Sequence, residues 1–289
     1  MVKVISLLVG LLLVLSTFIG AKNAFKYYSS YRSETLLIKD VQLNSPDSLV
    51  NQSDSLLIPI NYMGSLDFRN LNPETRKEQF ILQILPAIVI TREQLLDELH
   101  HVEFIESRIK GKKLISYTDS IFLNAIKKRY ETDSLSELRK RIYPHPVSLA
   151  LAQAALESGW GTSNIFRNGK NIFGVMSFSS EDSRSLIQYT EGDDERYLRT
   201  YSSIKESVEH YFQLIATVSS YKKFRQKRWE GSASSQLVNY LSRYHESSDQ
   251  YAEMAQSIIE SNNLERYDNI AIDTNFKQIV SLRKFLMQY

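Results

Sequence analysis

The chain has 289 residues, 43% of them hydrophobic, and a formal net charge of +2. That is ample apolar material for a core in one or two domains, and the near-neutral balance gives no reason to expect nucleic acid as a partner. There is no cysteine, which excludes disulfides, thiolate metal sites, a cysteine nucleophile and an acylated cysteine anchor.

Lys3 precedes an uncharged run from Val4 to Ala21, and Lys22 and Lys26 follow it. A short cationic start and a hydrophobic stretch have the form of a secretory signal, and the length is near the minimum that spans a bilayer. Ile19 is a poor fit to the small residue expected three places before a cut. Residues 1–24 therefore read as an uncleaved signal anchor in preference to a cleaved signal peptide, with a buried soluble helix as the bland alternative. Either export reading places the rest of the chain in the periplasm or on the outer face of the cytoplasmic membrane. Residues 25–69 read as a juxtamembrane linker with little architecture: Thr35–Leu43 as a strand, then a polar loop over 44–55.

Helical periodicity begins near Pro73 and carries to Ile90, with a kink expected at Pro86. Thr91-Arg-Glu-Gln94 has the form of a capping box and predicts a second helix to about Lys110. Further helices are expected over 119–130 and 134–141. The prolines of Ile142-Tyr-Pro-His-Pro146 then break the pattern and set the start of a helix made almost wholly of Ala and Leu. Gly159 stops it. From Phe166 to Arg199, short Phe-, Val- and Tyr-rich pieces predict a small β-hairpin lobe, with strands at 175–178 and 196–201 and a turn near 191–194. Ser203-x-x-Glu206 caps a helix whose apolar stripe runs through Ile204, Val208, Tyr211, Phe212, Ile215 and Val218. Helices are expected again at 233–244, 249–263 and 275–288. The fold class is mainly α (α+β), a helical domain with one small β lobe.

The chemistry concentrates on Glu157, the one carboxylate of the Ala/Leu helix, in its last turn. Desolvation and the negative end of the helix dipole both favour its protonated form, which suits a general acid; a solvated Glu at a helix end is the bland alternative. The five histidines show no tight ligand spacing, and no Gly-x-Ser-x-Gly elbow, phosphate loop or dinucleotide fingerprint occurs, so no metal or cofactor is expected. Lys222, Lys223, Arg225, Lys227 and Arg228, with Trp229, read first as solvated surface. As a functional run they suit an anionic wall polymer or membrane better than nucleic acid.

The block Ala152-Gln-Ala-Ala-Leu-Glu157-Ser-Gly-Trp-Gly-Thr-Ser163, followed by Asn171-Ile-Phe-Gly-Val175, resembles the signature of the bacterial glucosaminidases of glycoside hydrolase family 73. Arg76–Pro86, Tyr201–Tyr211, Tyr221–Arg225 and Tyr244–Tyr251 resemble its Bax-type branch. The likeness covers roughly 70–268, with a helical part at 70–142 and a catalytic core at 143–268, leaving 269–289 as a C-terminal helical extension expected to pack on the domain. It implies a lysozyme-like fold and an endo-β-N-acetylglucosaminidase cutting the GlcNAc-β-1,4-MurNAc bond of peptidoglycan glycan strands, with Glu157 as general acid. It also implies a second acidic residue on the β lobe: Glu191 is favoured, and Glu195 is the alternative. Substrate assistance by the acetamido oxygen is another route, with Tyr221 orienting it. Trp160, Asn171, Phe173 and Gly174 are expected to bind substrate or support the cleft. A lytic transglycosylase using the same Glu, and a wall-binding scaffold without activity, remain as other readings.

Overall fold

The computed structural model describes residues 31, 33–186, 196–241 and 248–279. The central element is α1 (Pro73–Lys110), a 38-residue helix whose first turn is capped by Asn72 Oδ1, accepting from the Thr75 amide at 3.0 Å. The expected division at Thr91 does not occur. Thr91 Oγ1 donates back to the Ala87 carbonyl at 2.8 Å, and the helix runs through Pro86 unbroken. A proline inside a helix costs about 3 kcal/mol. Here Ile84 to Thr91 are all buried, and packing on every side holds the segment helical.

Two cores share α1. Its distal half packs Leu99, Val102 and Ile105 against α2 (Tyr117–Arg129) and α3 (Leu135–Ile142), through Phe122, Leu123, Ile126, Leu138 and Ile142. Its proximal half faces the larger core. There α4 (Val147–Ser158) is buried continuously from Val147 to Ala155, as its Ala/Leu composition predicts. A short α5 (Asn164–Gly169) follows. The β lobe is antiparallel in the order β5 (Met176–Ser177), β7 (Tyr197–Arg199), β6 (Arg184–Leu186). Strand β6 has no counterpart in the expected hairpin, and the expected turn at 191–194 lies outside the described residues.

α6 (Ile204–Thr217) has the expected cap, Ser203 Oγ accepting from the Glu206 amide at 3.2 Å. A 3-10 turn (Ser219–Tyr221) leads into α7 (Lys222–Trp229). Instead of one helix over 233–244 there is a short α8 (Ser234–Leu237) with a 3-10 turn to Tyr240. α9 (Ser248–Ser261) closes the helical set.

The two ends meet. β1 (Glu34–Leu36) pairs antiparallel with β9 (Lys277–Ile279), and β3 (Leu56–Leu57) pairs parallel with β8 (Ala271–Ile272). β2 (Lys39–Val41) pairs parallel with β4 (Ile60–Tyr62), and Leu57, Ile60 and Tyr62 enter the main core. Residues 34–62 of the region expected to be a linker are thus built into the fold. The C-terminal helix expected from 275 begins instead as a 3-10 turn and strand β9, because β1 offers backbone partners there; 280–289 lie outside the described residues. Among the described residues no helix is long and apolar enough to cross a membrane, and the expected signal or anchor, Val4 to Ala21, lies outside them.

Candidate active site

Glu157 stands one residue before the end of α4, half-buried, where the apolar rod surfaces. The first end of that helix is fixed by a long-range partner and the last by a local closure. At its start Pro146 supplies no side-chain cap, and Asp268 does so from 120 positions away. Its Oδ1 accepts from the Ser148 amide at 2.7 Å, and Oδ2 accepts from Ser148 Oγ at 2.9 Å. At the far end, Gly159 is left-handed (φ 59°), and the Trp160 amide donates to Ala155 O at 2.8 Å, a Schellman closure.

Trp160 (φ 55°) and Gly161 (φ 76°) continue in the left-handed region. An indole there is unusual and is tolerated only where surroundings over-determine it. They do so here. Ser158 Oγ accepts the Gly161 amide at 2.9 Å while donating to Ala154 O at 2.6 Å. A Cβ on Gly161 would lie 2.4 Å from Phe68 Cδ2, so only glycine fits. Trp160 packs edge-on to Phe80 at 5.6 Å with Lys77 Nζ 5.4 Å from its ring centre. It is half-buried against the core.

The second wall is the turn 171–175. Asn171 is completely buried, with its amide spent on backbone: Nδ2 donates to Val175 O (3.0 Å) and Arg199 O (2.9 Å), and Oδ1 accepts from the Val175 amide (3.0 Å). It ties the turn to the β lobe and does not face a ligand. Phe173 is equally buried, stacked on Tyr211 with centroids 3.8 Å apart. Of the two expected roles, binding substrate or supporting the cleft, their complete burial leaves these two the supporting one. Gly174 differs. Its φ is 62°, and a Cβ there would lie 4.0 Å from Glu157 Oε2, so the bare backbone borders the carboxylate.

Two further buried polar side chains belong to this part of the fold. Tyr221 is buried, and its phenol is pushed up to about 12, first by burial and then by the charge of Glu157. It keeps its proton at neutral pH and can donate a hydrogen bond. Gln153, one helical turn before Glu157, is buried; it accepts from Tyr211 Oη at 2.6 Å and donates to Tyr251 Oη at 3.3 Å. Its sequence signal, a lone amide four residues before the Glu on an Ala/Leu helix, was there to be read; that of Asp268 was not. Glu191 and Glu195 lie outside the described residues. Among those described, no group of three or more His, Asp or Glu is arranged to hold a metal. A separate groove of about 1240 Å³ beside α1 and α6 does not include Glu157; Tyr31 and Ser33 enter it and bond Asp97.

The family model described as Mannosyl-glycoprotein endo-beta-N-acetylglucosaminidase (Glucosaminidase) matches residues 133–264. The chain is similar to Protein bax of Escherichia coli K12, 28% identical over 178 residues, which are 59% of this chain and 61% of that protein. It is similar to Exo-glucosaminidase LytG of Bacillus subtilis, 25% identical over 130 residues, 43% of this chain and 46% of LytG. It is also similar to Peptidoglycan hydrolase FlgJ of Salmonella typhimurium, 38% identical over 81 residues, 24% of this chain and 26% of FlgJ. In each case less than two thirds of the relative is matched.

Proposed function

We propose, from the premise that residues 133–264 are a domain of the glucosaminidase family, that this chain hydrolyses the glycan of peptidoglycan as an endo-β-N-acetylglucosaminidase at the GlcNAc-β-1,4-MurNAc bond. The single observation that carries the reading is Glu157, held half-buried at the C-terminal end of an apolar helix beside the bare Gly174 backbone. Substrate class finds support in the names of two relatives, a glucosaminidase and a peptidoglycan hydrolase. The mainly helical body with a small β lobe accords with a lysozyme-like arrangement. The hydrophobic run from Val4 to Ala21 supports export to the wall side.

The chemistry follows from the site. Partial burial and the helix dipole favour the protonated carboxyl, which gives its proton to the leaving glycosidic oxygen as the C1–O bond breaks. Positive charge develops at C1 and the ring oxygen, and water adds at C1, losing a proton to the site or to solvent. A neighbouring acid would support that charge, with Glu191 or Glu195 in the role. In the second route the acetamido oxygen attacks C1, with the Tyr221 phenol as the group that would orient the acetamide.

Chain-end analysis of purified sacculi after digestion tests the reading. Reducing GlcNAc ends released from within strands support it; 1,6-anhydro-muramyl ends would make the chain a lytic transglycosylase. Binding without new ends would leave a scaffold.

A further inference from the structure

The basic run 222–228 is not one exposed surface: Arg225 and Arg228 are buried and donate to backbone carbonyls, and Lys227 pairs with Glu230 at 2.7 Å. A different cationic surface forms where α1 ends. The chain turns back there on the last turn of the helix. The Lys113 amide donates to Arg108 O at 2.8 Å, and Arg108 Nε donates to Leu114 O at 2.8 Å. Ser116 then caps α2, its Oγ accepting from the Asp119 amide at 3.0 Å. Every residue from Ile109 to Leu114 is exposed. Leu114 is 57% exposed and Tyr117 80%; Ile121, one turn further on α2, shares the Tyr117 face and is 42% exposed. Single apolar residues at a surface mean little, but Ile109, Leu114, Tyr117 and Ile121 are gathered on this one tip. Lys110, Lys112 and Lys113 stand among them. Lys110 pairs with Glu106 at 2.9 Å, whereas Lys112 and Lys113 have no carboxylate partner among the described residues. Asp119, the other acid of this segment, is buried and paired with His101 at 2.8 Å.

The N-terminal segment leads to the same tip. β1 is held by β9, and just before it the Ser33 hydroxyl and the Tyr31 phenol both donate to Asp97, the phenol at 3.0 Å. The Tyr31 ring stacks on His101 at 4.5 Å and lies 5.8 Å from Phe104, and the Tyr31 amide donates to Asp119 Oδ1 at 3.4 Å. Followed backwards from Ser33, the backbone therefore runs along α1 toward its end and reaches the first turn of α2, where Tyr117 also lies. Ala21, the end of the uncharged run from Val4, precedes Tyr31 by ten residues, at most about 35 Å of chain. A bilayer entered by that run is within reach of the tip, and Lys22 and Lys26 on the connecting stretch add to the positive charge beside it. Aliphatic and aromatic side chains interspersed with lysines suit the interface of a membrane with anionic headgroups. We infer that residues 109–121 are a lipid-contacting surface: Leu114, Tyr117 and Ile121 enter the interface, and Lys110, Lys112 and Lys113 meet anionic headgroups. The inference takes the anchor from the hydrophobic run and is independent of which glycosidic bond the chain cuts.

The chain has no cysteine, so a single introduced cysteine can carry a nitroxide. Tyr117→Cys places it on the tip, and Met254→Cys, at an exposed position of α9 over the other core, is the control. The full chain is reconstituted in vesicles of phosphatidylglycerol or of phosphatidylcholine, and collision of each label with oxygen and with a water-soluble nickel chelate is read. In phosphatidylglycerol the label at 117 should be open to oxygen and shielded from nickel, and the label at 254 open to nickel. Lys112→Gln/Lys113→Gln should lower the ratio of shielded to water-exposed label at 117 roughly thirtyfold, and phosphatidylcholine should lower it as well. Equal nickel access at 117 and 254 in phosphatidylglycerol, or the same shielding at 117 in both lipids, overturns the inference. So does shielding at 117 in lipid-free detergent that rises with protein concentration, which would make the tip a contact with a second copy. If the full chain washes off the vesicles, the anchor fails and the inference with it, while release of GlcNAc ends from sacculi still tests the glucosaminidase reading separately.

Discussion

The turn behind Glu157 makes a quantitative prediction through Gly161→Ala. The new methyl would lie 2.4 Å from Phe68 Cδ2, 2.9 Å from Phe68 Cε2 and 3.1 Å from Phe166 Cε1. Neither ring can retreat easily: both are fully buried, stacked at 6.4 Å on one another, and Phe80 lies 6.3 Å from one and 6.1 Å from the other. The left-handed backbone alone costs a non-glycine residue about 1–2 kcal/mol. Overpacking adds about 1–3 kcal/mol. Gly231→Ala is the internal control, because Gly231 also has positive φ (82°) but nothing within 4 Å of its Cβ position. It carries the backbone cost only. The difference between the two variants is then about 1–3 kcal/mol, read in thermal denaturation as roughly 2–4 °C per kcal/mol. Equal losses in the two variants would refute the argument that close packing, and not the backbone angle alone, requires glycine at 161.

Asp268→Ala should destabilise the chain by about 1–3 kcal/mol, since it removes the acceptor for the first turn of α4 and leaves Ser148 groups buried without it; urea denaturation that shows no loss would deny Asp268 this capping role. His145 is buried, stacked on Phe212 at 4.1 Å, and burial followed by the Arg228 charge holds its pKa well below the usual value. Its folded-state pKa is depressed, so the unfolded chain takes up the proton first. Stability is therefore full above about 6.5 and falls as pH drops below it, with His210 contributing in the same sense. The urea midpoint followed from about pH 8 to about pH 5 should decline less steeply in His145→Gln than in the native chain.

Much of the site was legible because its signals are local. The Ala/Leu run announces a buried helix, Gly159 announces its stop, and a carboxylate beside that stop is conspicuous in sequence. What escaped was non-local. The cap of α4 comes from Asp268, and strand β1 pairs with the distant β9, neither of which any short window can contain. Thr91-Arg-Glu-Gln94 satisfied a capping pattern, yet tertiary burial kept α1 continuous across it. Asn171 is instructive in another way. A tight turn at 171–174 can be read from its residues, but the bond from the buried Asn171 amide to Arg199 O, which ties that turn to the β lobe, cannot.

The most direct test of the central claim compares the full chain with its Glu157→Gln variant, measuring release of reducing GlcNAc ends from purified peptidoglycan. Glutamine keeps the size of the side chain and removes the proton that a general acid must give. The account predicts a folded variant, by circular dichroism, whose release rate falls by roughly two orders of magnitude or more. A folded variant that releases reducing GlcNAc ends at the native rate would contradict it.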